Sequence, residues 1–141
     1  MSLHAIVDSP ELYIGHDMQN QWLYADWKGE YDQEASRAAC ALLLTSLRVW
    51  PCQKILNDNS GVTRTTAQLT DWGVRWLDEL RAAGLQYIAW VLPRNPLARR
   101  CNEEKVHAID YPRVGTFDDV ASAYAWLQQQ TVVSEQLAVC N

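Results

Sequence analysis

The chain has 141 residues, which fits one domain that buries roughly two thirds of its unfolded surface on folding. Its 12 Lys and Arg residues against 17 Asp and Glu residues give a net charge of −5, so general binding to nucleic acid is not expected. The longest apolar run, residues 38–44, is far shorter than the about 20 residues that span a bilayer, and no secretory signal opens the chain. We expect a soluble cytoplasmic protein without a membrane span.

The cysteines and histidines form no recognisable metal-binding or catalytic pattern. No two cysteines make a C-x-x-C pair, and no His stands at the spacing of a zinc site. Walker loops and the sequences G-x-G-x-x-G, G-x-S-x-G and H-E-x-x-H are absent as well. We therefore expect no metal, no cofactor, no enzymatic activity, and reduced thiols at Cys40, Cys52, Cys101 and Cys140.

The first elements are predicted to be an antiparallel hairpin and a long helix. Two apolar-rich segments, residues 12–17 and 22–27, flank a polar turn, and Gly29 is expected to end the second strand. Apolar residues then recur at steps of three and four from Asp32, the predicted N-cap, to Pro51, which stops the helix. In the second strand, the residues expected to face the core are Leu23, Ala25 and Trp27.

A strand, a polar loop and a second helix are predicted next. Residues 54–57 form the strand, and residues 58–66 form the loop. The helix starts between Thr66 and Thr70, and Gly84 fits a left-handed position after its last turn. The continuous apolar run of residues 87–92 is typical of a central strand that is covered on both faces.

The last part of the chain predicts a helix, a strand and a final helix. Asn95 followed by a proline marks the start of a helix that reaches about residue 107. Residues 114–117 form a short strand, and Asp118 is expected to cap the final helix. The order β-β-α-β-α-β-α-β-α predicts an α/β fold with a mixed sheet, as one domain over residues 1–130. Residues 131–141 form a tail that is either disordered or adds an edge strand.

The predicted loop is the candidate binding site. Asp58, Asn59 and Ser60 stand at the end of a strand ahead of a helix, where free backbone N–H groups favour an anion or a hydrogen-bonding partner. Thr63 and Arg64 add hydroxyl and cationic groups. Arg94, on the loop after the neighbouring strand, could reach the same anion. The alternative is a simple turn whose polar side chains bond to their own backbone, with Arg94 a solvated surface residue.

Two aromatic residues of the second helix offer a second candidate. Trp72 and Trp76 lie four residues apart and therefore share one face of the helix. They could line a pocket for a lipid-like or aromatic molecule. Ordinary core packing of an amphipathic helix explains the same spacing.

Three segments in this order resemble the SpoIIAA-like, or STAS-type, domains, often small stand-alone bacterial proteins that include the anti-sigma-factor antagonists. They are the strand and polar turn at residues 55–61, the helix end and strand at residues 83–91, and the last unit at residues 117–127. The resemblance implies a SpoIIAA-like fold and a regulatory role. In the antagonists a serine of this loop is phosphorylated to switch partner binding, and Asn59 occupies that position here. Asn cannot accept a phosphate, although Ser60, Thr63, Thr65 and Thr66 carry hydroxyls nearby.

Two functions follow as hypotheses. The first is a non-enzymatic interaction module that meets a protein partner through residues 58–66 and the start of the second helix. The second is a carrier or sensor of a small anionic or lipid-like molecule, with an apolar cavity and an anion clamp from Arg64 or Arg94. The many tryptophans and a free edge strand also suggest a homodimer.

Overall fold

The structure is a computed structural model that describes residues 1–134. In this part of the chain, six strands form one sheet in the order β1-β2-β3-β4-β5-β6, and four helices pack on it. The strands are β1 (Leu3–Asp8), β2 (Leu12–Asp17), β3 (Trp22–Tyr31), β4 (Lys54–Thr65), β5 (Tyr87–Val91) and β6 (Arg113–Phe117). The helices are α1 (Gln33–Val49), α2 (Asp71–Ala82), α3 (Pro96–His107) and α4 (Val120–Gln129).

The sheet is mixed, as the sequence predicted. β1, β2 and β3 pair antiparallel, whereas β3, β4, β5 and β6 pair parallel. Each parallel pair is joined by one helix, and the strands follow one another across the sheet. Because such crossovers are right-handed, α1, α2 and α3 lie on one face of the sheet. Helix α4 follows the last strand and packs against β4, β5 and β6 from the other face.

Local sequence signals set most helix ends. The Asp32 carboxylate accepts the backbone N–H of Ala35, at 2.8 Å, and so caps α1. Asn95 caps α3 in the same way, with a proline in its first turn. Gly84 has a φ of +108° after α2, a conformation that residues with a Cβ rarely adopt. These three predictions are confirmed.

The first strand was not predicted. β1 is an edge strand whose residues are exposed or half-buried, and its register against β2 shifts between Ala5 and Val7. An edge strand with a bulge lacks the alternation of apolar and polar residues on which the prediction of strands depends. The observed order is therefore β-β-β-α-β-α-β-α-β-α.

The predicted loop at residues 58–66 is wrong, and this error bears on the candidate site. β4 continues through Asp58, Asn59 and Ser60 as far as Thr65. Its partner β3 likewise continues past Gly29 to Tyr31, so that Asp26 pairs with Asp58 and Tyr31 pairs with Thr65. Because β3 is long enough to pair with this segment, it supplies hydrogen-bond partners for the backbone groups of polar residues that would otherwise favour a turn.

Two further details differ from the sequence prediction. Asp119, not Asp118, caps α4 through the backbone N–H of Ser122, whereas Asp118 contacts Arg99. Both faces of β3 are buried, since on the side opposite the one expected to face the core Trp22 packs against Tyr124 of α4. The buried residues of that side include Trp22 and Tyr24.

Residues 131–134 carry neither a helix nor a strand. The Tyr87 hydroxyl donates to the backbone of Thr131, and the Gln86 side chain bonds both backbone groups of Val133. The remaining tail residues and Cys140 lie outside the described part of the chain. Within residues 1–134, Cys40, Cys52 and Cys101 form no disulfide, and no helix is long and apolar enough to cross a membrane.

Candidate functional site

The pleat of β4 divides the predicted binding residues between the two faces of the sheet. Successive side chains of a strand point to opposite faces. Asp58 and Ser60 therefore lie on the side of α4, whereas Asn57 and Asn59 face α1, α2 and α3. Asp58 and Asn59 are both buried, at 5% and 7% exposure, so neither is the loop side chain that the sequence suggested.

Asp58 lies in a compact acidic cluster. Its carboxylate accepts the Tyr24 hydroxyl at 2.9 Å, the Ser60 hydroxyl at 2.7 Å and the Ser60 backbone N–H at 3.0 Å. Burial, followed by the charges of Asp58 and Asp26, raises the pKa of Tyr24 and keeps it a donor. Burial and the Asp58 charge also raise the pKa of Asp26, against the effect of Lys28 at 3.5 Å. The donors to Asp58 come from within the chain, so the cluster holds the strand rather than a ligand.

The amides on the opposite face form a continuous chain of hydrogen bonds. Asn59 donates to Asn102 of α3 at 2.7 Å, and Asn57 donates to Asn59 at 3.4 Å. Two indoles close the ends, since Trp27 donates to Asn57 at 2.6 Å and Trp90 donates to Asn102 at 3.0 Å. Such a chain satisfies polar groups that burial would otherwise penalise. It ties β3, β4 and β5 to helix α3.

A cavity of about 90 Å³ lies between this amide chain and helices α1, α2 and α3. One enclosed water needs about 10–15 Å³ of such space, so the cavity has room for several waters or a small organic molecule. Four of the seven tryptophans line it, namely Trp27, Trp72, Trp76 and Trp90. Exposed Arg37 and Gln68 are also among the lining residues, which means that the cavity reaches the surface.

Trp72 and Trp76 pack between helices and also line the cavity, and their contact with a lipid-like or aromatic molecule stays a prediction. Both are half-buried and line the cavity. Trp76 also donates its indole N–H to the backbone of Cys40 at 2.7 Å, which fixes α2 against α1. The guanidinium of Arg37 lies 5.7 Å from the ring centre of Trp72. Packing between helices and lining of a cavity are therefore not exclusive here.

Thr63, Arg64 and Arg94 are exposed, but the strand register separates the two arginines. Val91, the last residue of β5, pairs with Asp58, and β4 runs on past it. Arg64 lies six residues beyond Asp58, which is about 20 Å along a strand. Arg94 lies only three residues beyond Val91. The register does not support a common anion clamp, and Thr63 and Arg64 instead belong to an exposed strand extension.

Sequence reasoning missed Lys105 and Thr70 as residues of the cavity. Lys105 on α3 forms no ion pair with residues 1–134, and desolvation by burial lowers its pKa, against the opposite effect of Cys101 and Cys40. The Thr70 hydroxyl is buried and has no hydrogen-bond partner in the described part of the chain, although Thr70 stands at the N-cap of α2. Only the packing of α2 and α3 brings these residues together, so no local signal could have identified them.

No protein-family model and no curated protein matches the chain. Solved structures do. The anti-sigma factor antagonist SpoIIAA in its unphosphorylated form superposes with a TM-score of 0.51 at 13% identity, over 92% of this chain and all of that one. The chain has a SpoIIAA-like fold. An uncharacterized protein of the DUF3478 family from Shewanella loihica PV-4 matches with a TM-score of 0.49 at 13% identity, over 89% of this chain and 92% of that one.

Within this SpoIIAA-like fold, Asn59 stands where the resemblance places the phosphorylated serine. Its amide is buried and donates to Asn102, and it has no hydroxyl that could carry a phosphate. The hydroxyl of neighbouring Ser60 is bonded to the Asp58 carboxylate, and a phosphate there would meet like charge. Thr63 and Thr66 are the exposed hydroxyl carriers nearby.

Proposed function

We propose that this protein is a non-enzymatic regulatory module of SpoIIAA-like fold that acts by binding a protein partner. The observation that supports the proposal most is the fold itself, shared with a protein that is named an anti-sigma factor antagonist. A cytoplasmic location belongs to the same proposal.

The proposed contact surface is the strand extension formed by the end of β4 and the segment leading to α2. Gly61, Thr63, Arg64, Thr66 and Gln68 are exposed there. This surface differs from the predicted loop, because Asp58 and Asn59 are buried and are not available to a partner. Exposed polar residues on a paired strand give a rigid surface, which lowers the entropy cost of binding.

The test removes one threonine and one arginine side chain from this surface and compares the effect with removal of the same two side-chain types elsewhere on the protein. A photo-crosslinking residue at position 64 should capture a defined partner, whereas one at position 100, an exposed arginine of α3, should not. With the purified partner, T63A/R64A should weaken binding at least about tenfold, and T45A/R100A should change it less than about twofold. Equal binding by both double variants would refute this surface. Equal capture at both positions would do the same.

Self-association remains a prediction within this proposal. β1 and β6 are the two edges of the sheet, and an exposed edge can pair with a second copy. Light scattering at several concentrations tests it, and a constant monomeric mass would rule it out.

A further inference from the structure

The charges around the cavity point to an anion. Among residues 1–134, its lining includes two cationic residues, Lys105 and Arg37, and no carboxylate, in a chain whose acidic residues outnumber its basic ones. No ion pair within residues 1–134 neutralises Lys105 or Arg37. A partly buried cation without a counter-ion is costly, and a bound anion would relieve that cost.

Neutral donors stand beside the cations. The Thr70 hydroxyl is buried and forms no hydrogen bond with any residue that the structure describes. Each amide nitrogen carries two hydrogens, and Asn57 and Asn59, which both line the cavity, each use only one of them within residues 1–134. Thr70 also precedes the first turn of α2, whose backbone N–H groups favour negative charge. A carboxylate can accept hydrogen bonds from several such donors at once.

The rest of the lining is mostly apolar and aromatic, with five further polar residues, namely Gln33, Ser36, Thr65, Gln68 and Asn102. The four indoles of Trp27, Trp72, Trp76 and Trp90 present flat surfaces, and aliphatic side chains such as Leu77 fill the space between them. A multiply charged phosphate would need more cations and fewer apolar walls. A wholly apolar molecule would leave Lys105 without a counter-ion. A singly charged group on an apolar body fits both features.

From this combination we infer that the cavity binds a small monocarboxylate, with its carboxylate between Lys105 and the Thr70 hydroxyl and its apolar body against the tryptophans. An engineered apolar cavity of about 150 Å³ takes up benzene, so about 90 Å³ suits a short-chain acid better than an aromatic one. This site lies beneath the helices and opens beside the strand extension proposed to bind a protein, with which it shares Gln68.

The test uses the full-length protein, with acetate, butyrate and benzoate as probes and butyramide and benzamide as neutral counterparts. We expect butyrate to bind with a Kd on the order of 1 mM or tighter, benzoate to bind more weakly because it is larger, and each amide to bind at least about tenfold more weakly than its acid. Binding should shift the indole N–H resonances of Trp27, Trp72, Trp76 and Trp90 in NMR spectra. Those of Trp22, Trp50 and Trp126, which lie outside the cavity lining, should stay in place.

Two variants and two matched controls assign the contacts. K105M should weaken carboxylate binding at least about tenfold and leave amide binding unchanged, whereas R100M removes an exposed charge from the same helix and should have no effect. T70V should weaken binding several-fold, and T63V, on the exposed end of β4, should not. Circular dichroism and the thermal midpoint confirm that each variant folds.

Three results would overturn the inference. The first is equal affinity for acids and amides, which would indicate an apolar ligand. The second is the absence of any shift in the four cavity indoles up to high millimolar concentrations of each acid. The third is full carboxylate binding by a folded K105M. The comparison of acids with amides needs no variant, so the inference remains testable if K105M fails to fold.

Discussion

The two faces of β4 carry neighbouring residues in opposite chemical settings. On the α4 face, the Asp58 carboxylate is held by the hydroxyls of Tyr24 and Ser60, a closed set in which the chain itself supplies the donors. On the other face, Asn59 belongs to a neutral amide chain that borders a cavity. A charged group can be buried only with dedicated donors, whereas amides can bond to one another and still have hydrogens to spare.

This comparison distinguishes polar residues that only stabilise the fold from polar residues that can also meet a ligand. The Asp58 cluster joins β3 to β4 and presents nothing to a ligand. The amide chain also stabilises the sheet, but it leaves donors beside an open volume. Two residues that are adjacent in sequence therefore do not form one site, and experiments on each face should give different results.

The largest expected effect is on the amide face. N102L removes the acceptor of Asn59 and Trp90 together with the bond to the Ala98 carbonyl, while it keeps a side chain of similar size. We expect the free energy of unfolding to fall by about 3 kcal/mol, because buried donors lose their partners. Urea denaturation measures it. E103L, at the next and exposed position, should stay within about 0.5 kcal/mol, and an equally small effect of N102L would show that the amide chain contributes little.

A smaller effect is expected on the acidic face. D58N keeps the shape but weakens the bonds from Tyr24 and Ser60, and should lower the free energy of unfolding by about 1–2 kcal/mol at pH 7. It should also lower the pKa of Asp26, since the Asp58 charge helps to raise it. NMR titration of the Asp26 carboxyl carbon checks this shift. An unchanged Asp26 titration would mean that the two carboxyls do not interact.

On the cavity face, alkaline pH should lower the free energy of unfolding through the Cys40 thiol. Burial raises the pKa of the Cys40 thiol from 9.0 to about 12, so the folded state keeps its proton longer than the unfolded chain does. The stabilising contribution is therefore complete below pH 9 and is lost as pH rises from about 9 to about 12. The free energy of unfolding, measured by urea denaturation at each pH, should fall less steeply over this range for C40A than for the unchanged protein. Identical slopes for the two proteins would contradict the assignment to Cys40.

The smallest effect is expected where β4 leaves the core. Thr63 is exposed on the strand extension, so T63A should change the free energy of unfolding by less than about 0.5 kcal/mol. Comparison of T63A with N102L and D58N tests whether polar residues contribute to the free energy of unfolding according to their burial. A loss above about 1 kcal/mol would show that the extension is part of the stable core.

Local signals accounted for much of the fold. The period of apolar residues located α1 and α2, Asp32 and Asn95 marked helix starts, and Gly84 marked a helix end. The unbroken apolar run of β5 identified a strand that is buried on both faces. These features depend on neighbours within a few residues, and for that reason they can be recognised in one sequence.

What the sequence by itself determined was therefore the α/β class, the mixed sheet and the order of the elements after β1. The tertiary structure alone decided that residues 58–65 are a strand, because the backbone partners that make this possible come from β3, far away in the chain. It also decided that Lys105 and Thr70 border one cavity with four tryptophans, since that proximity depends on how α2 and α3 pack on the sheet. The period at which apolar residues recur is a local property of the sequence, but strand pairing and burial are properties of the assembled molecule.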